Sequence, residues 1–378
     1  MKQTLLLLLI LICSMQGTGY ARNVASVKSI GVHSTHIHPP TPPTPPVPPP
    51  PPAPPTPPAP PVPPRPPRPP RPPVPPPPVQ PIQGGTYFYI SSGGFNVDNT
   101  WAYQLYPTEK KLTGKGVKIA IADSGISSHT EFNGKDIQGA DFTYSSGIHD
   151  AKNHGTALAG IIGARGVDFT GIAPEAQLVI YKIDDGSRLI SSQAATNAIN
   201  TLIDYNEKHP NDKITVLNLS YGISGSADIA LTRAINRAYE AGILIVCPAG
   251  NVGYPGVYYP ANLAGTIAVG AMAADRTHVA ANSSYGKEID FIAPGERVYT
   301  TDTNGGYTLV NGTSAAAAFV SATAALAVEG FKKKYHRYPT VAEIKQCLIK
   351  AAVPLSNVPR EKQGYGFIDV NRLEQQFI

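Results

Sequence analysis

The stretch 117–125 reads VKIAIADSG and decides the fold class of this chain. Its first six residues are apolar apart from one lysine, and Gly116 and Gly125 flank the run. A short apolar run of this length between such boundaries predicts a buried β-strand. Asp123 then stands where the strand ends and the chain turns.

The same pattern recurs along the chain and alternates with helical patterns. Further strands are predicted at 178–183, 214–219, 243–247 and 266–269, and helices near 154–163, 191–207, 227–241 and 313–328. Short apolar strands that alternate with helices indicate a mostly parallel sheet covered by helices on both faces. We therefore predict an α/β fold of three layers. In such folds, functional groups gather at the carboxyl ends of strands and at helix N-termini.

The first hundred residues differ in composition from the rest. Lys2 precedes an unbroken apolar run at 5–12, and small residues follow it, so we predict a signal peptide at 1–21 that is cleaved near Ala21. The apolar run is too short to span a bilayer, and no transmembrane segment is expected. Residues 22–81 are predicted to be a polar stretch and a proline-rich linker, and residues 82–100 an N-terminal extension. Residues 101–378 are then the globular domain.

Within the linker, a Pro-Pro-x repeat runs from 41 to 78. Proline fixes φ and removes backbone donors, so this tract is predicted to form a polyproline II helix. One interpretation is a stiff spacer. The other is a ligand for the aromatic groove of a partner, or for an anionic surface bound through Arg65, Arg68 and Arg71.

The net charge of +5 comes from the N-terminal region. Six basic residues precede Asp98, which is the first acidic residue, so the remainder is close to neutral. A nucleic-acid-binding protein concentrates basic charge on its folded domain. We therefore expect no nucleic acid as a partner.

Three short segments place a chemically competent residue beside glycine at the edge of an apolar element. They contain Asp123 in Asp-Ser-Gly, His154 in His-Gly-Thr and Ser314 in Gly-Thr-Ser. A serine nucleophile needs a base to take its proton and a carboxylate to orient that base. A fourth segment, Pro-Ala-Gly-Asn, ends at Asn251, whose amide could donate to an oxyanion.

These four motifs, in the order Asp, His, Asn, Ser, resemble those of the subtilase family of serine proteases. The similarity extends from Trp101 to Val370. It implies Ser314 as nucleophile, His154 as general base, Asp123 as the residue that orients it, and a subtilisin-like fold for the catalytic domain at 101–378.

The resemblance also implies the remaining parts of the site. Asn251 would join the Ser314 amide in an oxyanion hole. Two further segments resemble those that bind an extended peptide and line the main specificity pocket; they are Ser220, Tyr221 and Gly222, and Ala249 and Gly250. No acidic cluster is evident in them, which predicts a broad apolar or aromatic preference.

We therefore predict a secreted or periplasmic serine endopeptidase that acts as a monomer. Its expected partners are polypeptide substrates. No metal and no cofactor is expected in the chemistry. The segment 164–171 is short, so a calcium-binding loop common in relatives is expected to be reduced, and a structural calcium ion stays open. Two alternatives remain: a catalytically silent adhesion protein on the same scaffold, and a peptide ligase or cyclase using the same triad.

Overall fold

The computed structural model of the protein describes residues 101–106, 111–186, 191–223 and 227–378. The predicted signal peptide, proline-rich linker and N-terminal extension lie outside the described residues. The strands are β1 (Lys118–Asp123), β2 (Gln138–Asp141), β3 (Gln177–Lys182), β4 (Ile214–Leu219), β5 (Leu244–Pro248), β6 (Thr266–Met272), β7 (Ile289–Pro294), β8 (Val298–Thr301), β9 (Tyr307–Val310), β10 (Ala352–Val353) and β11 (Phe367–Ile368).

The first seven strands form one parallel sheet in the order β2-β3-β1-β4-β5-β6-β7. Strands β8 and β9 form a small antiparallel pair, and so do β10 and β11. The chain enters the sheet near its middle and adds strands on either side of β1. The predicted α/β class with a mostly parallel sheet is confirmed.

Seven helices accompany the strands in the described residues. They are α1 (His154–Gly163), α2 (Ser192–Lys208), α3 (Ile229–Glu240), α4 (Thr313–Tyr335), α5 (Val341–Ala351), α6 (Arg360–Gln363) and α7 (Val370–Gln375). Short 3₁₀ turns lie at Tyr103–Leu105 and Thr130–Phe132.

The two faces of the sheet bury two separate hydrophobic clusters. Along β1, Ile119 and Ile121 belong to the cluster that contains α1 and α4. Ala120 and Ala122 belong to the cluster that contains α2 and α3. Successive side chains of a strand point to opposite faces, so a strand that is apolar throughout fits a sheet covered on both sides. This is the three-layer arrangement that the apolar runs predict.

Helix α4 continues two turns beyond the predicted end at residue 328. Glu329 lies in this extension with a buried carboxylate, which accepts hydrogen bonds from the amides of Thr113 and Gly114, both at 2.7 Å. It also pairs with Lys333 at 2.6 Å. Among the described helices, α4 alone is long and apolar enough to cross a membrane, and its most apolar 18-residue stretch is almost entirely buried inside this protein.

Candidate active site

The four residues with predicted chemical roles come from four separate segments. Asp123 is the last residue of β1, and Asn251 is the third residue after β5. His154 is the first residue of α1, and Ser314 is the second residue of α4. Strands β1 and β5 both flank β4 in the parallel sheet, so their carboxyl ends lie at the same edge. That edge is where ligands bind in open α/β sheets.

Asp123 and His154 are joined by a hydrogen bond of 2.8 Å between Oδ1 and Nδ1. A carboxylate can only accept, so Nδ1 carries the proton and Nε2 of the neutral ring is the acceptor. The Asp123 side chain is 4% exposed, whereas the imidazole is 43% exposed. The buried aspartate therefore fixes the tautomer and leaves the other ring nitrogen able to take a proton.

The pKa of His154 is raised above its ordinary value. The main cause is the negative charge of Asp123, which stabilises the imidazolium form, and its hydrogen bond adds to the effect. Burial acts in the opposite direction but does not outweigh the charge. A base with a raised pKa binds a proton more strongly, which suits a group that must take one from a serine hydroxyl.

Asp150 fixes the start of α1, a role that the sequence analysis missed. Its Oδ2 accepts from the Thr156 amide at 2.8 Å and from the Thr156 hydroxyl at 2.7 Å. Its Oδ1 accepts from the Lys152 amide and from the Ser124 hydroxyl, each at 2.8 Å. The Ser124 hydroxyl in turn accepts from the Gly155 amide at 2.9 Å. One carboxylate thus holds the first turn of α1 against the end of β1.

These contacts also determine the charge state of Asp150. Burial alone would raise the pKa of its carboxyl group. Hydrogen bonds from Thr156 and from the Lys152 amide favour the ionised form, and together they lower the pKa. An ionised carboxylate at a helix N-terminus is favourable, because the unpaired amides there carry partial positive charge.

Asn251 is held against the N-terminus of α4. Its Oδ1 accepts from the Thr313 amide at 2.8 Å and from the Thr313 hydroxyl at 2.9 Å. A backbone N–H can only donate, so the amide end that faces it must be the oxygen. Nδ2 is then the other end, and it donates no hydrogen bond among the described residues. The side chain offers two free N–H groups next to the helix that carries Ser314.

Ser314 is half-buried at the N-terminus of α4. The preceding N-cap residue, Gly312, has no side chain to satisfy the amides of the first turn. Helices α1 and α4 pack against each other, which brings the elements of His154 and Ser314 together. No hydrogen bond of Ser314 Oγ is found in the described part of the chain. Catalytic hydrogen bonds often tighten only when substrate is bound.

The predicted substrate segments leave the sheet side by side. Ser220, Tyr221 and Gly222 follow β4, while Ala249 and Gly250 follow β5, its neighbour. The structure therefore places all five residues beyond the carboxyl ends of two adjacent strands. Asn218, buried at the end of β4, donates from Nδ2 to Ser220 Oγ at 2.9 Å and so orients this serine.

A model of the subtilase family matches residues 114–367, which is about two thirds of the chain. The chain belongs to the subtilase family. The resemblance of its four motifs to this family is confirmed. The matched range contains every site residue described above.

Known subtilases are similar to the chain in sequence and in fold. It is 34% identical to the minor extracellular protease Epr of Bacillus subtilis, over 74% of its own length but only 42% of that protein. It is 32% identical to the major intracellular serine protease of the same organism, over 68% of its length and 82% of that protein. Its structure is similar to the crystal structure of a lanthipeptide protease, with a TM-score of 0.65 and 25% identity, over 74% of this chain and 95% of that one. The prediction of a subtilisin-like serine protease is confirmed.

The short loop after α1 of this subtilase is built around a carboxylate. Glu131 is fully buried and accepts hydrogen bonds from the four successive amides of residues 166–169, at 2.7 to 3.2 Å. Tyr307 donates to the same carboxylate at 3.0 Å. A calcium ion needs several oxygen ligands, whereas this loop directs N–H donors inward. The residues of this loop do not fit a cation, and no cluster of metal-binding side chains is present among the described residues.

Proposed function

We propose that this subtilase is a secreted endopeptidase that cleaves extended polypeptides through Asp123, His154 and Ser314, with Asn251 in the oxyanion hole. The observation that carries this proposal is the 2.8 Å hydrogen bond between the buried Asp123 carboxylate and Nδ1 of His154. It leaves Nε2 as the base on an exposed edge of the ring. No cofactor takes part in the proposed chemistry.

In the first step, His154 Nε2 takes the proton of Ser314 Oγ as the oxygen attacks the carbonyl carbon of the substrate. The imidazolium that forms is stabilised by the Asp123 charge, the same interaction that raises the pKa of His154. His154 then gives this proton to the leaving amine, and the acyl group stays on Ser314. Water repeats the sequence in the second half of the reaction and releases the acid.

The carbonyl oxygen becomes negatively charged in the tetrahedral intermediate. Asn251 Nδ2 is the proposed side-chain donor to it, because Oδ1 is already occupied by Thr313. The Ser314 amide, in the first turn of α4, is the proposed backbone donor. Two pre-oriented donors stabilise the charge without reorganising during the reaction.

Secretion is the other part of the proposal. It is supported by the basic residue, apolar run and small residues of the segment 1–21, and by the similarity to an extracellular protease. Because a similar relative is intracellular, the leader sequence carries this part of the argument more than the family does. Secretion is tested by expressing the full chain and sequencing the N-terminus of the exported protein. Protein that stays in the cell fraction with residues 1–21 still attached would contradict it.

A serine-directed fluorophosphonate tests the catalytic proposal directly. We expect covalent labelling of the wild-type protein, and none for Ser314→Ala or for protein first unfolded in urea. Absence of labelling in folded wild-type protein would favour a silent binding protein. Masses of the products from a model peptide then separate hydrolysis, which adds one water per cut, from ligation or cyclisation, which adds none.

A further inference from the structure

The segments 220–222 and 249–250 follow adjacent strands, and the second is tied to Thr313, next to Ser314, by the Gly250 amide. The space between these two segments is called the crevice below, and each segment, or wall, contains a glycine. Gly222 lies on the wall that follows β4, and Gly250 on the wall that follows β5. The residue after Gly250 is Asn251, the proposed oxyanion donor. A substrate carbonyl whose oxygen lies at Asn251 therefore places the side chain of the same residue next to this crevice. The space between the two glycines decides which side chains fit there.

The ring of Tyr258 stands between the two glycines. A Cβ atom on Gly250 would lie 2.7 Å from Tyr258 Cδ1 and 2.9 Å from its Cγ. A Cβ atom on Gly222 would lie 3.7 Å from Tyr258 Cβ and Cδ2. The two edges of the ring thus face opposite walls, Cδ1 toward Gly250 and Cδ2 toward Gly222. The ring occupies the space that the missing side chains leave.

The backbone around Tyr258 is tied to both walls. Its amide donates to the Ala249 carbonyl at 2.9 Å, and its carbonyl accepts from the Asn262 amide at 3.1 Å. The next residue, Tyr259, exchanges two backbone hydrogen bonds with Ile223, at 2.9 and 3.1 Å. Moving the Tyr258 main chain away from the crevice would break these bonds.

The side chain of Tyr259 ties the segment 258–259 to the start of α3. It is 2% exposed, and its hydroxyl donates to the Asp228 carbonyl at 2.9 Å. Asp228 is the N-cap of α3, so the segment is attached to a regular helix. The main chain of Tyr258 is therefore held in place between the two walls.

We propose that Tyr258 determines the specificity of this protease by restricting the residue before the scissile bond to glycine, alanine or serine. This inference rests on the proposed function, since it concerns the peptide that Ser314 attacks. A large apolar side chain of the substrate strengthens binding only where the enzyme has a pocket large enough to bury it. Here a tyrosine of the enzyme occupies that room. The proposal replaces the broad apolar or aromatic preference that the sequence alone predicts with a preference for small residues.

The test compares kcat/KM on a set of peptides that differ only in the residue before the cut. We expect the wild-type enzyme to cleave after Ala and Gly at least about 10-fold better than after Phe or Leu. Tyr258→Gly is expected to reverse this order by raising kcat/KM for Phe by about 10- to 100-fold, the range that burial of one large apolar side chain allows. Tyr258→Phe keeps the ring and is expected to keep the wild-type profile.

Tyr254→Ala is the matched control, because this tyrosine lies four residues earlier on the same segment and is 71% exposed. It should leave the profile unchanged. The rate of fluorophosphonate labelling reports an intact site in each variant. If Tyr258→Gly fails to fold, the cleavage profiles of the wild-type enzyme and of Tyr258→Phe still test the proposal.

Two results separate failure of this inference from failure of the proposed function. Wild-type enzyme that is labelled and cuts equally well after Phe and Ala would overturn the role of Tyr258 alone. The role of Tyr258 would also be overturned if Tyr258→Phe cleaved after Phe as well as Tyr258→Gly is expected to. Folded protein that is neither labelled nor able to cut any peptide would overturn the proposed function itself.

Discussion

Asn251 Oδ1 lies 2.8 Å from the backbone nitrogen of Thr313, the residue that precedes Ser314. The bond connects positions 62 residues apart in sequence and joins the end of β5 to the start of α4. The position of the proposed oxyanion donor is thus set by the same turn of helix that carries Ser314, the proposed nucleophile. Any shift of α4 would move both groups together.

Removing the Asn251 amide should slow the chemical step and leave binding nearly intact. For Asn251→Ala we expect kcat to fall by about 10²–10³-fold, the loss known for this type of donor in subtilisin, with KM changed by less than about threefold. Thr313→Val removes one bond to Oδ1 and should give a smaller fall. Steady-state kinetics on one peptide measures both. A kcat for Asn251→Ala within twofold of wild type would contradict the role.

The raised pKa of His154 sets the acid side of the pH profile. Below that pKa the imidazolium cannot take the Ser314 proton, so kcat/KM should rise as the pH increases through it. Because Asp123 raises the pKa, we expect the midpoint above the ordinary value of about 6.5. Asp123→Asn should lower the midpoint. By favouring the wrong tautomer of His154 it should also lower kcat by about 10⁴-fold, the loss typical of this replacement in a serine-protease triad. A midpoint at or below 6.5 in the wild type would count against this assignment.

Asp150 should stabilise the protein as well as its active site. Asp150→Asn places an N–H group against amide donors, and we expect a loss of about 2–3 kcal/mol in the free energy of unfolding. Since the pKa of Asp150 is lowered in the folded state, its contribution is present at neutral pH and disappears as the pH falls through that pKa. Urea denaturation at pH 7 and at acid pH measures this.

The control for Asp150 is Asp275→Asn. Asp275 also accepts from two backbone amides, those of Thr277 and His278, but it lies on an exposed turn. We expect its replacement to change the free energy of unfolding by about 0.5 kcal/mol or less. Equal losses of unfolding free energy in Asp150→Asn and Asp275→Asn would contradict a stabilising role for the burial of Asp150 and its contacts with α1.

Glu131 should make the loop after α1 independent of calcium. Since N–H groups of residues 166–169 point at its carboxylate, excess chelator is expected to leave the Tm of the wild-type protein unchanged. Glu131→Gln puts a donor against donors and should cost about 2–4 kcal/mol of unfolding free energy. Thermal unfolding with and without chelator measures both. A chelator-induced fall in Tm would show that a cation stabilises the protein.

The elements nearest the site could be predicted because each has a strong local signal. Strand β4 and helix α1 have the predicted bounds, and β1 and β5 differ from theirs by one residue at each end. Within the seven-stranded sheet, the two strands that the sequence did not predict are β2 and β7. The sequence of β2, QGAD, has no apolar run, and β7 contains an aspartate and ends in proline. Both owe their strand conformation to pairing with β3 and β6.

The same distinction applies to the site. Asp123, His154, Asn251 and Ser314 were predicted as site residues because each stands in a short motif at the end of an element. Asp150 has no such motif: its meaning depends on Ser124, 26 residues away, which only the folded chain brings to it. Asp150 is not the N-cap of α1, which is Asn153, so the usual capping pattern gave no signal for it.

Helix α4 gives the enzyme an unusual relation between activity and unfolding. Its residues from 315 to 331 are buried, and its apolar side chains form part of the largest hydrophobic cluster. We expect the backbone amides of such a buried helix to exchange with solvent mainly when the whole domain opens. Loss of activity on heating should therefore coincide with global unfolding, and residual activity after heat treatment can serve as a direct count of the molecules that remain folded.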